Sequence, residues 1–246
     1  MSSNSRIKGT RVNIECNKIL EFFNNRAENY SEDKPYTVTM LHDNNPEFVE
    51  QRNKLEVEKL KSKLELKTTS KILDIACGVG RWSDAIEEDI ENYTGIDFSA
   101  NLIEIANKRN ENKLNRDFLV GQADKISEVL PPYKKYNIIF IMGICMYLNE
   151  EALNICFNEV LNYVEDNTTI LIREPLGIDN RLTLNNFYSN ELNTDYNAIY
   201  RTSEELKEFF KIFEKAGFSL IEEGNLFDES LNDRQETVQR YFVLKR

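Results

Sequence analysis

From Lys71 onward the chain repeats one arrangement, a short apolar run followed by a stretch of helical spacing. Ile72-Leu73-Asp74-Ile75-Ala76 is the first run and closes on Cys77-Gly78-Val79-Gly80. Tyr93-Thr94-Gly95-Ile96-Asp97, Phe118-Leu119-Val120 and residues 136–142 and 168–172 follow, with helices predicted over 80–88, 100–112 and 149–164 between them. Strands apolar on both faces that alternate with helices of this length imply parallel βαβ units with right-handed crossovers. Residues 219–223 and 237–244 form two further strands with no helix between them, so they should run antiparallel to each other. The pattern predicts an α/β fold: a seven-stranded, doubly wound sheet whose last strand is reversed. Local signals agree. Ser99 is placed as an N-cap, and Thr202-Ser203-Glu204-Glu205 has the form of a capping box opening a helix that stops at Gly217.

Residues 1–68 do not share this rhythm. A helix is predicted over 13–29, with Ile19, Leu20, Phe22 and Phe23 on one face, and a charged helix over 46–66 with Pro46 in its first turn. Between them lies a polar, turn-rich span. The segment is expected to be a helical N-terminal arm or lid on a ligand-binding domain of residues 69–246. Within that domain, residues 174–202 show no clear periodicity and are expected to be a substrate-binding insertion.

Charge narrows the partners. The 246 residues carry 42 acids against 31 bases, a net charge of -11, which repels nucleic acid and anionic lipid. The longest apolar run, residues 138–148, is too short to cross a bilayer, and residues 1–6 lack the apolar core of a secretory signal. A soluble cytoplasmic protein is expected. Cys16, Cys77, Cys145 and Cys156 contain no C-x-x-C pair and His42 is the single histidine, so buried thiols are expected and no metal site.

The glycine turn after the first strand lets backbone approach a ligand and exposes amide N–H groups. Asp97 ends the second strand nineteen residues after Gly78, where a carboxylate can accept both hydroxyls of a ribose. Ser83 stands where a dinucleotide fingerprint needs its third glycine, which disfavours a nicotinamide-dependent oxidoreductase. Asp74, inside the first strand, suits an ammonium better than a pyrophosphate.

Leu73-Asp74-Ile75-Ala76-Cys77-Gly78-Val79-Gly80-Arg81 resembles motif I of the class I S-adenosylmethionine-dependent methyltransferases, and Gly95-Ile96-Asp97-Phe98-Ser99 resembles their second motif. Val120-Gly121-Gln122-Ala123-Asp124 is similar to the third, with Gln122 in place of the usual Asp, and Ile141-Met142-Gly143 matches the strand end that faces the sulfonium. The resemblance implies a Rossmann-like fold and S-adenosyl-L-methionine as cofactor, leaving S-adenosyl-L-homocysteine. It implies cofactor contacts from Asp74, Ala76, Gly78, Gly80, Asp97, Phe98, Leu102, Gln122, Ala123, Asp124 and Met142. Tyr30, closing a segment similar to the family's entry helix, and Arg52 are assigned to the cofactor carboxylate. Core packing for Tyr30 and a solvated helix cation for Arg52 are the competing accounts.

The motifs of amino-methylating DNA enzymes, metal-dependent catechol-type enzymes and protein arginine methyltransferases are missing, which leaves a small-molecule acceptor. Arg173 and Arg201 are placed to hold an anionic acceptor, or else in structural salt bridges. Tyr36, Tyr147 and Tyr200 are further acceptor-binding candidates. Together these stretches resemble bacterial methyltransferases of surface-polysaccharide pathways. Oxygen of a small anionic or sugar-like metabolite is the expected acceptor, with N-methylation of an amino sugar as the alternative. An alcohol must lose its proton near the moment of transfer. His42 is the first candidate base and Glu174, with a pKa raised by burial, the second.

Overall fold

The computed structural model describes residues 5–42, 44–232 and 234–246; the expectation of no secretory signal, read from residues 1–6, falls mostly outside them. A short strand, β1 (Arg6–Lys8), precedes three helices, α1 (Cys16–Ala27), α2 (Thr37–Met40) and α3 (Pro46–Lys61). The alternation follows as β2 (Lys71–Ile75), α4 (Arg81–Ala85), β3 (Asn92–Asp97), α5 (Ala100–Arg109), β4 (Arg116–Val120), β5 (Tyr136–Met142), α6 (Glu150–Leu161) and β6 (Val164–Gly177). A hairpin of β7 (Leu182–Ser189) and β8 (Thr194–Tyr200) comes next, then α7 (Ser203–Lys215), β9 (Ser219–Asn225) and β10 (Thr237–Lys245).

Seven strands form one sheet in the order β4-β3-β2-β5-β6-β10-β9. The first five are mutually parallel, and β10 runs antiparallel to both β6 and β9. This is the Rossmann-like sheet with its reversed last strand. Strand order turns back between β2 and β5, which opens a crevice at their carboxyl ends. The predicted caps form: Ser99 Oγ accepts from the Leu102 N–H, and Thr202 and Glu205 cap each other. Asn45 caps α3, whose first residue is Pro46.

Side chains alternate between the two faces of each strand. Leu73, Ile75, Ile139, Ile141, Ile170 and Ile172 pack against α6 and α7 through Phe157, Phe210 and Phe213. Ile72, Phe140 and Leu171 point the other way, toward Leu60, Trp82 and Ile103. The same alternation sends adjacent Arg173 and Glu174 to opposite faces, a separation that decides their roles.

Residues 174–202 are more regular than expected. β6 continues to Gly177, where a Cβ would sit 2.2 Å from the Asn180 carbonyl oxygen, and the chain then turns into the hairpin. β1 adds to β7, so the N-terminal segment is not wholly helical: it completes a three-stranded antiparallel sheet, β1-β7-β8. Three cysteines are buried as expected, but Cys16 is exposed at the start of α1, and all four are free thiols.

Candidate active site

The carboxyl ends of β2, β5 and β6, the arm, the hairpin sheet and the β9–β10 loop enclose a cavity of about 490 Å³, within the roughly 300–1,000 Å³ typical of small-molecule sites. At its centre β2 turns into α4. Gly78 has φ +55°, and a Cβ there would lie 2.8 Å from Thr39 Cγ2, so the arm helix α2 rests directly on the glycine turn. Asp97 braces that turn from the next strand. Its Oδ2 accepts the Gly78 N–H at 2.9 Å and its Oδ1 the Ser99 N–H at 2.9 Å. Burial raises its pKa to about 6, against the pull of these two amides. Each oxygen keeps a second lone pair.

Asp74 is more deprived. It accepts a hydrogen bond from the Tyr93 hydroxyl, while its other oxygen, Oδ1, is buried without a partner. Burial raises its pKa to about 7, although Tyr93, Arg81 and Arg173 all favour the charged form. The two guanidiniums converge on Glu56, which is buried on α3. Arg81 donates to its Oε1 at 2.5 Å and Arg173 at 3.3 Å, and their charges keep its pKa below the ordinary range despite full burial.

Twelve of the residues assigned from sequence line this cavity: Arg52, Asp74, Ala76, Gly78, Asp97, Phe98, Leu102, Met142, His42, Tyr147, Arg173 and Tyr200. Gln122, Ala123 and Asp124 line a smaller pocket that shares Ala76, Asp97, Phe98 and Tyr147 with it.

The other five lie elsewhere among the described residues. Gly80 opens α4 with φ +78° and faces Asn110 and Phe118, so its use is in helix packing. Tyr30 accepts from Arg109 at 2.9 Å, and Tyr36 donates to Asp84 at 3.1 Å; both bind the arm to α4 and α5 rather than a ligand. Glu174, on the far face of β6, accepts the N–H groups of Ile144, Cys145 and Met146 at 2.8, 2.9 and 3.3 Å. Its pKa is raised by burial as expected, yet its lone pairs fix the turn after β5, so it is no general base. Arg201 donates to the Cys145 and Leu148 carbonyls at 2.6 and 2.7 Å and pairs with Glu150, which makes it a structural cation.

His42 reaches the cavity wall from the arm. Its Nδ1 lies 3.2 Å from Glu191 at the hairpin tip and its Nε2 2.8 Å from Arg52 Nη1. Since a guanidinium only donates, Nε2 is the acceptor there, and the Nδ1–H then donates to Glu191. The Tyr147 and Tyr196 hydroxyls meet at 2.7 Å, and burial raises the pKa of both, and of Tyr200, above the ordinary phenol value. Spacing gave no hint of Tyr196, Glu56 or Glu191; only long-range pairing brings them to the cavity. Among the described residues no cluster of three His, Cys, Asp and Glu side chains is arranged to hold a metal ion.

Comparison with known proteins bears on this arrangement. Residues 72–167 match a family model described as a methyltransferase domain. The segment runs from β2 into β6 and holds both aspartates. Phosphoethanolamine N-methyltransferase of Plasmodium falciparum is 23% identical over 225 residues, covering 76% of this chain and 82% of that protein. Among solved structures, a SAM-dependent methyltransferase of Leishmania major superposes with a TM-score of 0.70 at 15% identity, covering 100% of this chain and 98% of the other. Phosphoethanolamine N-methyltransferase 1 of Haemonchus contortus, in complex with phosphoethanolamine and S-adenosylhomocysteine, superposes with a TM-score of 0.68 at 17% identity, covering 94% of this chain and 50% of that one. The fold is that of the class I methyltransferases. No helix among the described residues is long and apolar enough to cross a membrane.

Proposed function

We propose that this chain transfers a methyl group from S-adenosylmethionine to a small acceptor bearing an oxyanion, and that the methylated atom is nitrogen. The observation that carries this reading is the pair of buried carboxyls at consecutive strand ends, Asp74 with an orphaned oxygen and Asp97 locked onto the glycine turn. Both fit the donor. Asp97 offers its remaining lone pairs to the ribose hydroxyls, and the bare Asp74 Oδ1 suits the ammonium of the amino-acid end. Ala76, Phe98, Gln122, Ala123 and Asp124 surround the pocket left for the base, and Leu102 and Met142 supply apolar wall. Bound there, the donor supplies an electrophilic methyl on a cationic sulfur. The protein's part is orientation and exclusion of water, with residues 1–68 as the lid and the 174–202 insertion beside the acceptor.

Nitrogen is preferred because, with Asp74 given to the donor's ammonium, none of the candidate bases assigned to the acceptor is disengaged among the described residues. Glu174 faces away, both His42 nitrogens are occupied, and the buried tyrosines hold their protons. A neutral amine attacks with its own lone pair, whereas an alcohol needs proton removal. The names of the two phosphoethanolamine N-methyltransferase relatives support the same class. O-methylation, including that of a sugar-like acceptor, is the second reading. It is favoured by the His42–Glu191 contact and requires Arg52 to leave Nε2. Incubation with S-adenosylmethionine and phosphoethanolamine, an amino-sugar phosphate, ethanolamine or a sugar alcohol, read by mass spectrometry, tests the proposal. Methyl addition to the phosphorylated amines is expected; methylation of the neutral alcohol alone contradicts it.

A further inference from the structure

Beyond Arg173 the cavity floor continues across β10. Met142 on β5 pairs with Arg173 on β6, Arg173 pairs with Tyr241, and Pro175 pairs with Gln239 on β10. Cross-strand partners share a face, so Asp74, Met142, Arg173 and Gln239 form one row across β2, β5, β6 and β10. At ~4.8 Å per strand the row spans ~14 Å, too long for the amino-acid end of the donor alone. Arg173 and Gln239 are diagonal neighbours with Cα atoms ~7 Å apart, within reach of two long side chains.

Two facts distinguish this end of the row. Arg173 Nε and Gln239 Oε1 are buried without hydrogen-bond partners, although both residues line the cavity. A buried polar atom left so is costly unless a ligand completes it. Charge at this end also favours an anion once Asp74 is taken by the donor's ammonium, because Arg81 and Arg173 then pair with one carboxylate between them, Glu56. An amide beside a guanidinium suits an oxyacid: as placed, Oε1 accepts the O–H of a protonated phosphate, and turned over, Nε2 donates to an ionised oxygen.

We propose that Arg173 and Gln239 clamp the oxyacid group of the acceptor and that Gln239 sets its specificity. The clamp rests on the methyl-transfer reading only for the role of the group it holds. Calorimetric titration of phosphoethanolamine, and separately of inorganic phosphate, into the full chain saturated with S-adenosylhomocysteine tests it. The wild type binds phosphoethanolamine. Gln239→Glu, which sets a second negative charge beside the anion, weakens it at least about tenfold, and Gln239→Leu about threefold or more. S-adenosylhomocysteine affinity stays unchanged in both variants, which also shows that they fold. Equal phosphoethanolamine affinity in wild type and Gln239→Glu overturns the clamp, as does a donor-loaded wild type that binds neither phosphoethanolamine nor phosphate. Failure to bind S-adenosylhomocysteine instead removes the methyl-transfer reading, and a phosphate affinity that still responds to Gln239 leaves the clamp standing.

Discussion

Burial holds the Asp74 carboxyl at about 7, so at neutral pH it is balanced between its two forms. An ammonium from the donor favours the ionised form, so donor affinity should fall as pH drops through 7. Folding responds in the opposite sense. A folded-state pKa above the unfolded value gives stability that is complete below the unfolded pKa and lost as pH rises through about 7. Asp74→Asn is therefore expected to raise stability at pH 8 relative to wild type, by on the order of 4 kcal/mol at most and with a higher Tm, and to leave both unchanged near pH 3. Paired melting curves at the two pH values check the sign. Glu174 calls for a different result. Its oxygens hold three backbone N–H groups, so Glu174→Ala should cost about 3 kcal/mol or more of stability. The kcat per folded molecule of Glu174→Gln should stay near wild type; a collapse of kcat at unchanged Tm would return Glu174 to the chemistry.

The hairpin is pinned at its base by Glu150, with Glu205 as a second, longer partner of Arg181 at 3.5 Å. Arg181 at the entry to β7 and Arg201 at the exit from β8 both pair with Glu150 in the first turn of α6, at 2.6 and 3.1 Å. Both guanidiniums are nearly inaccessible, so Glu150→Ala leaves Arg201 without a carboxylate and Arg181 with Glu205 alone, and should cost about 3 kcal/mol. Hydrogen exchange should then accelerate selectively over residues 182–200. The sequence made the central sheet legible because each of its strands carries its own pattern and closes on a local turn or cap. The proposed donor cradle can be assembled from the sequence for the same reason: Asp74, Gly78 and Asp97 need only adjacent strand ends to meet. The hairpin was not. Asn186 adopts φ +52° and the β7–β8 register shifts between Leu184 and Phe187, which breaks the period-two alternation. Pairing of β1 with β7 joins Arg6 to Leu184 across most of the chain, and no local signal announces it. The sequence leaves Arg201 and Tyr30 open between ligand and structural roles, because a cation or a phenol near a cleft looks the same in sequence whether it faces ligand or neighbour; here both face neighbours.

Across the molecule, pieces far apart in sequence close the cavity together. Glu191 at the hairpin tip joins His42 of the arm to Arg234 of the β9–β10 loop, and Glu236 of that loop holds Arg6 and Lys8 of β1. These contacts are partly exposed, so Glu236→Ala should cost less than about 1 kcal/mol of stability while increasing the donor off-rate severalfold. Stopped-flow displacement at matched Tm separates the two effects. The most direct measurement is calorimetric titration of S-adenosylhomocysteine into the wild type and Asp97→Ala. Binding at one site is expected, accompanied by a rise in Tm and weakened by ~2–3 kcal/mol in the variant. No heat and no shift in Tm with the wild type, or equal affinity in the two proteins, would contradict the assignment of this crevice to the methyl donor.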